Sequence, residues 1–459
     1  MEWNSITLTP ERFPGSLQGM RIRLPARLLT LAFAATLQAE TVKDREGAVR
    51  EDRAKLEDGR RWNYNDPDSG FRLAAETGKP LLVILRCVPC LSCAGIDAGV
   101  LEEKELAPLL DQFVRVRVIN ANSLDLRRFQ FDYDLSFSAM IFNGDGTVYG
   151  RFGSWWHQRD SADKSTAALA RTLKAALLLH QGYPGNKGAL AGKQGAPVPF
   201  RTPVEFPALS ASYSLKLDWE GKVVQSCVHC HMVGEALRQH FRTRGEAVPP
   251  EWIYPQPSLQ TLGVDLAADD TARVETVRAG TPAARSGLQA GDQLLSLNGQ
   301  PLISAADAAW VLHRAPEQGA LPAVVRRGSV ATGLTLELPA GWRRNSDISR
   351  RAGTWQMRTM VLGGMVLEEL EESARTGSGL DNGGMALRVK HVGEYPPHDT
   401  AKKAGFKPRD VIVQADDLRE RISESGLIGH LLQNRRPGAR LKVQVLRGGE
   451  RLTLELPQQ

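Results

Sequence analysis

The chain carries one pattern twice. Residues 281–302, TPAARSGLQAGDQLLSLNGQPL, line up with residues 398–419, HDTAKKAGFKPRDVIVQADDLR. Each copy reads as a short helix, then Gly and an apolar residue, a turn carrying Asp, and a strand. A second helical stretch follows in each (SAADAAWVLHRA; SESGLIGHLLQN), and then a closing hairpin (VVRRGSVATGLTLELP; VQVLRGGERLTLELP). A spacing of roughly 115 residues is too long for a solenoid repeat, so these are two similar domains. The full 459 residues exceed what one core can organise, and the remainder must hold at least one further domain.

Composition narrows the class. Apolar residues make up 42% and charged residues 24%, which is ordinary for globular domains. The formal charge of +6 is spread along the chain, and the densest basic stretch, 419–440, is broken by apolar and acidic residues. No recognition motif accompanies it, so no nucleic-acid partner is expected. Residues 1–39 read as a signal-peptide region, with Met20 the expected start. Arg21, Arg23 and Arg27 form a positive flank, 28–37 an apolar run, and Ala39 a small residue at a cut site. The apolar run is shorter than the ~20 residues a membrane span requires. Export to a periplasmic or extracellular, oxidising compartment is expected, with the membrane met only during that export.

The intervening chain divides by pattern. Residues 40–60 are a charged lead-in. Residues 61–182 alternate strand and helix: KPLLVILR is a buried strand, VRVRVINA and SAMIFN are further strands, GDG turns a hairpin, and SADKSTAALARTLKAALLLH is an amphipathic helix. This makes a compact α/β domain. Residues 183–212, rich in Pro and Gly, read as a linker, and 213–257 hold a short cysteine segment. The repeated domains occupy 259–340 and 362–457, joined by a connector at 341–361.

All five cysteines fall in two clusters. RCVPCLSC holds Cys87, Cys90 and Cys93 at the passage from strand to helix. A thiol at a helix N-terminus feels the positive end of the helix dipole, which favours thiolate. A second cysteine one turn on can close a disulfide with it, the physics of a C-x-x-C redox pair. The second cluster, CVHCHM, contains C-x-x-C-H, the attachment signature of c-type haem. Cys227 and Cys230 would give the thioethers and His231 the proximal iron ligand, with Met232, His229 and His240 as distal candidates. The alternatives are a second redox pair or half of a zinc site. Of the other candidates, Trp155, Trp156 and His157 read as core packing rather than an aromatic rim, and the remaining histidines as surface or packing residues.

Residues 61–182 resemble the thioredoxin fold. The resemblance implies that Cys90 is the nucleophile and Cys93 the resolving thiol. Cys87 is then additional: a second resolving thiol, a third ligand for a soft metal, or a buried apolar residue. Three positions depart from the family. Pro89 replaces the usual Trp, Ile84 stands where the buried strand carboxylate lies, and Ser138 stands where the cis-proline lies.

The repeated domains resemble PDZ domains in the permuted form of bacterial periplasmic proteases and chaperones. The resemblance implies binding of protein or peptide C-termini by strand addition, with a carboxylate loop at Leu262, Gly263 and Val264 in the first copy. In the second copy the loop falls at Leu362, Gly363, Gly364 and Met365. Specificity would come from the positions around Ala306 and Trp310, or around Ser425 and Gly429. Arg409 stands where the turn glycine usually sits, which implies an altered turn. Across 60–457 the chain resembles a bacterial family that joins a signal peptide, a thioredoxin-like domain, a CxHCHM-GEA segment, a W-YPxP stretch and two PDZ domains. Some of its members carry selenocysteine. The expected fold is therefore multidomain α/β and mainly-β, a thioredoxin-like domain followed by two PDZ-like domains. The expected activity is an exported thiol–disulfide oxidoreductase served by a thiol or electron donor. The alternative is a non-enzymatic PDZ scaffold or sensor whose cysteine clusters hold a soft metal or haem.

Overall fold

A computed structural model describes residues 44–58, 61–86, 104–135, 137–153, 166–267 and 272–459, all within one unit, Thr41–Gln459. The signal-peptide region, Cys87, Cys90, Cys93, Trp155, Trp156 and His157 lie outside the described residues. The charged lead-in forms a helix, α1 (Arg45–Asp58). It is anchored by the buried Val49 and by Arg53, whose guanidinium lies 4.5 Å over the Trp219 ring. Among the described residues no helix is long and apolar enough to cross a membrane.

The sequence NDPDSG starts the next helix, α2 (Pro67–Thr77): the Asp66 carboxylate accepts from the Ser69 amide at 2.9 Å, and Pro67 sits where no intrahelical N–H is needed. Five strands follow the order β1 (Asn63–Tyr64), β3 (Val114–Val118), β2 (Leu81–Arg86), β4 (Phe137–Phe142), β5 (Val148–Gly153). β1, β3 and β2 are parallel, while β4 and β5 are antiparallel to their neighbours. All six residues of β2 are buried, because both faces of the sheet are covered. Leu81, Val83 and Leu85 pack with α2 on one face. Leu82 and Ile84 face α3 (Thr166–Gln181) on the other. Each such aliphatic burial contributes about 1.5–3 kcal/mol.

The Pro/Gly-rich stretch at 183–212 runs mostly along the surface but is pinned to the core by a few buried side chains, which corrects its reading as a linker. Phe206 and Leu190 are fully buried, and Lys193, 1% exposed, pairs with Asp307 of the first repeat at 2.7 Å. Composition alone misleads here, because Gly and Pro permit tight turns in packed chain as well as in tethers. The cysteine segment belongs to the same core. Its helix α4 (Cys230–Thr243) sends Val233, Ala236 and Leu237 into the cluster built on Val83 and Leu85.

In the first repeat β6 (Val264–Leu266) and β7 (Val274–Val277) form a two-stranded ribbon. β8 (Gln293–Leu297), β9 (Gln300–Pro301), β10 (Gly319–Arg327) and β11 (Val330–Leu338) form a sheet in the order β11-β10-β8-β9. Helices α5 (Pro282–Arg285) and α6 (Ala305–Arg314) complete it. In the second repeat α7 (Thr354–Leu362) precedes a sheet in chain order, β12 (Met365–Glu369), β13 (Leu387–Val392), β14 (Val411–Ala415), β15 (Arg440–Arg447) and β16 (Glu450–Pro457), with α8 (Glu424–Asn434) against it.

The duplication extends to single bonds. Arg327 grips Asp292 with two N–H groups at 2.8 and 2.7 Å, and Arg447 grips Asp410 with two at 2.7 Å. Gly291 before the first Asp has φ 88°, and Arg409 before the second has φ 76°. The turn is therefore kept, not altered, and the Arg409 backbone bears a strain of about 1 kcal/mol that glycine would avoid.

His313, on α6, is buried between the rings of Trp252 and Trp310 at centroid distances of 5.5 and 5.7 Å. Burial, then the charges of Arg343, Arg314, Arg151 and Arg351, push its pKa down to about 3. The unfolded chain takes up a proton near pH 6.5 and the folded one does not. Stability held above pH 6.5 is therefore lost as pH falls through that window towards 3, at roughly 1.4 kcal/mol per pH unit. Denaturant unfolding between pH 7 and 4 should show this slope, and His313→Gln should flatten it. An identical slope in the variant would assign the acid sensitivity elsewhere.

Candidate functional site

Three features meet where the parallel strands end. β2 closes at Arg86, after which the chain enters the first cysteine cluster. Arg86 is 5% exposed and ion-paired to Asp52 of α1, and Asp52 also lies 3.6 Å from Arg117 at the end of β3. Ile84 is fully buried, so β2 carries no carboxylate on its described inner faces. Ser138, on β4, pairs with Leu85 of β2 and with Gly153 of β5.

The second cysteine cluster is fastened to this end of the sheet. The Ala121 amide donates to the Val228 carbonyl at 2.8 Å, and the Val228 amide to Asn122 Oδ1 at 2.7 Å. Asn122 Nδ2 donates to the carbonyls of Ser214 and Ser226 at 2.7 and 2.8 Å. Asn122 is thus the clip that places Cys227 and Cys230 beside the sheet. Sequence reasoning missed it, since a lone Asn after a strand carries no distinguishing signal.

The side chains of C-x-x-C-H each make contacts with the protein. Cys227 is buried, with Sγ donating to the Val223 carbonyl at 3.1 Å, and Cys230 packs inward against the core. The side chain of His231 is 42% exposed, and its Nδ1 meets Glu235 Oε1 at 3.1 Å. Cys227 is thus turned into the core, while Cys230 is half-buried and the His231 imidazole partly exposed. The distal candidates have contacts of their own. His229 stacks on it with planes 10° apart. Met232 Sδ accepts the His229 amide. His240 lies about 14 Å along α4, at 1.5 Å per residue, and packs on Phe200 and Phe206. Among the described residues no group of three or more His, Cys, Asp or Glu side chains is placed to hold a metal.

The two repeats differ at the groove between edge strand and second helix. In the first, a cavity of about 550 Å³ opens there. Val264 and Leu266 of β6 form one side, and Ala305, Ala306 and Ala309 of α6 the other. Ser138, Phe152 and Gly153 of the sheet domain form the end wall. The wall is held in place: Ser304 Oγ donates to the Arg151 carbonyl, and the Arg151 amide donates to Asp307 Oδ1 at 3.0 Å. Leu262 is buried core, and Gly263 (φ 97°) has no room for a side chain, since a Cβ would lie 2.2 Å from Thr281 Oγ1. The Gly263 amide donates to the Gln260 carbonyl at 3.0 Å. Trp310 does not line the groove: its Nε1 donates to the Gly192 carbonyl at 2.9 Å, and Arg151 stacks 3.7 Å above its ring.

In the second repeat the chain fills its own groove. The Leu367 amide of β12 donates to Glu424 Oε1 at 2.7 Å, and Glu424 is held by Arg358 at 2.6 and 2.9 Å, both side chains 5% exposed. Tyr254 donates to the Ser425 carbonyl at 3.0 Å, and a Cβ at Gly429 would lie 1.9 Å from its oxygen. Gly363 and Gly364 both take left-handed backbones (φ 59° and 85°), and the Gly364 amide is spent on the Arg358 carbonyl at 3.1 Å. Tyr254 belongs to the W-YPxP stretch, whose aromatic was the one available signal.

Comparison with known proteins agrees with this division. The thioredoxin-like family matches residues 62–144, and the PDZ domain family matches 273–327 and 385–457. The chain is 28% identical over 190 residues to a probable periplasmic serine endoprotease DegP-like from Pseudomonas savastanoi pv. phaseolicola (strain 1448A / Race 6), covering 41% of this chain and 37% of that protein. Solved structures of the HtrA-type protease AlgW with a decapeptide and with a tripeptide match at 18% and 19% identity, each with a TM-score of 0.18. They cover 30% of this chain and 48% and 52% of theirs, so the chain spans about half or less of the relatives it matches. The chain is a thioredoxin-like α/β domain followed by two PDZ domains.

Proposed function

We propose that the protein is an exported thiol–disulfide oxidoreductase whose PDZ domains recruit protein partners. One observation carries this reading: three cysteines follow directly on the central buried strand of a thioredoxin-like sheet. The Cys90 thiolate attacks a substrate disulfide, forming a mixed disulfide and releasing one substrate thiolate, which takes a proton from water. Cys93 then attacks the Cys90 sulfur, releasing the second substrate thiol and leaving a Cys90–Cys93 disulfide. An external dithiol reductant restores the pair, so the two electrons gained by the substrate come from that donor. Export is supported by the pattern of residues 20–39 and by the periplasmic designation of the DegP-like relative.

Alkylation tests the electrostatic premise. Cys90 in the reduced, metal-free chain should react with iodoacetamide along a pH curve whose midpoint lies below the ~8.5 of an ordinary thiol. Mass-resolved peptide mapping reads each cysteine separately. An ordinary or inert Cys90 would leave a peptide-docking scaffold in place of an enzyme.

A further inference from the structure

We propose that two copies of this chain pair edge to edge along β11 of the first PDZ domain, antiparallel about a twofold axis at Leu334. The two four-stranded sheets then continue as one. This inference is independent of the oxidoreductase reading.

The duplicated domains supply the contrast. β11 and β16 are both edge strands that close a hairpin. β16, ERLTLELP, carries three charges and ends in Pro, the usual devices that stop an edge from recruiting another strand. β11, VATGLTLEL, is one residue longer and carries a single charge, Glu337. Among the described residues, no backbone hydrogen bond from another element reaches 330–338 beyond the pairing with β10.

The turn shows which way each backbone group points. Gly328 and Ser329 form a two-residue turn, so Arg327 and Val330 beside it exchange hydrogen bonds. Alternation then aims the N–H and C=O of Ala331, Gly333, Thr335 and Glu337 away from β10. Pro322, opposite Thr335, agrees with this phase. It has no N–H to offer β11, and its carbonyl accepts from the Asn298 amide at 2.7 Å on the β8 side.

Those outward groups and the charges fix the register. With Leu334 on the axis, Gly333 meets the partner's Thr335 and Ala331 meets the partner's Glu337, so each outward group finds its complement. Arg326 lies opposite Ala331 on β10. Glu337 therefore looks across the partner's Ala331 to the partner's Arg326, two strand spacings or about 9.6 Å away, a gap that two long side chains span. Arg326 and Glu337 are both exposed, and among the described residues neither is ion-paired within the chain. An axis at Gly333 would set Glu337 against the turn residue Ser329, and one at Thr335 would set it against Gly333 and Val324, with no charge to meet. On the other face Val330, 62% exposed, comes opposite the partner's Leu338, and the half-buried Leu334 opposite its own copy.

Sedimentation velocity of the full chain, kept reduced so that no cysteine links the copies, tests this. A strand-edge interface is small, so the chain should pass from monomer to dimer between about 1 and 100 μM. Gly333→Pro removes an N–H beside the axis without touching the pairing to β10, and a Cβ at this position meets nothing within 4 Å. It should raise the dissociation constant at least ~10-fold while the protein melts like the parent. Glu337→Arg, a change at an exposed side chain, should raise it about threefold or more, and Arg326→Glu/Glu337→Arg should restore the parent value. A parent that stays monomeric throughout overturns the proposal and leaves the edge to an extended segment of a different protein. Dimerisation unchanged by Glu337→Arg and by a folded Gly333→Pro places the contact elsewhere and overturns it as well. If Glu337→Arg weakens the dimer and reversal of both charges does not restore it, the register about Leu334 falls.

Discussion

Replacing Asp307 with alanine is expected to destabilise the folded chain by about 3–5 kcal/mol, the usual cost of stripping one partner from a buried ion pair. Its carboxylate accepts from Lys193 Nζ at 2.7 Å, the Arg151 amide at 3.0 Å and the Ile303 amide at 3.1 Å. Both side chains of the pair are 1% exposed. Burial pulls the Lys193 pKa down, and Asp307 opposes that pull. Without the carboxylate an ammonium and two backbone N–H groups are left in the interior with no acceptor. Urea unfolding followed by far-UV circular dichroism reads the loss. Asp307→Asn keeps an acceptor for the amides but not the charge, and should fall between alanine and the parent. The double variant Lys193→Met/Asp307→Asn removes both charges and should recover much of the loss. A midpoint for Asp307→Ala close to that of the parent would show that the pair does not hold the first PDZ domain to the sheet domain.

That site also shows which features were legible in the sequence. The repeat at 281–302 and 398–419 announced two related domains, and it held down to Asp292–Arg327 and Asp410–Arg447, because each copy carries its own partners nearby in the fold. KPLLVILR was legible as a buried strand because a run of apolar residues needs cover on both faces. Lys193 and Asp307 were not, since they stand 114 residues apart and each alone reads as a surface charge. The same holds for Tyr254 at Gly429 and for Arg358 at Glu424, which close the second groove. Strand-and-helix patterning identifies a PDZ domain, but whether its groove is open depends on side chains contributed from outside it. The C-x-x-C-H spacing was legible as a motif. Its chemistry depends on which way the two sulfurs and the imidazole turn, and helix packing decides that.

Serine at position 90 is expected to abolish disulfide reduction, with a loss of at least ~10³-fold, since a hydroxyl neither ionises near neutral pH nor exchanges with sulfur. The assay is reduction of a peptide disulfide with an external dithiol as donor. Cys93→Ser separates the two half-reactions: attack by Cys90 still occurs, but the mixed disulfide has no resolving thiol and should accumulate as an adduct visible by intact mass. Cys87 is then decided by the same variant. If Cys93→Ser still turns over and Cys87→Ser/Cys93→Ser does not, Cys87 is a second resolving thiol. If the adduct persists in Cys93→Ser alone, Cys87 does not resolve it. Cys227 and Cys230 form a separate case, because Asn122 pins their segment to the same end of the sheet. Cys227→Ser/Cys230→Ser should leave the adduct-forming step intact, because that step needs only the Cys90 thiolate and its substrate. Retention of the parent rate by Cys90→Ser would remove Cys90 as the nucleophile and pass that role to Cys87 or Cys93, which follow the same strand in sequence.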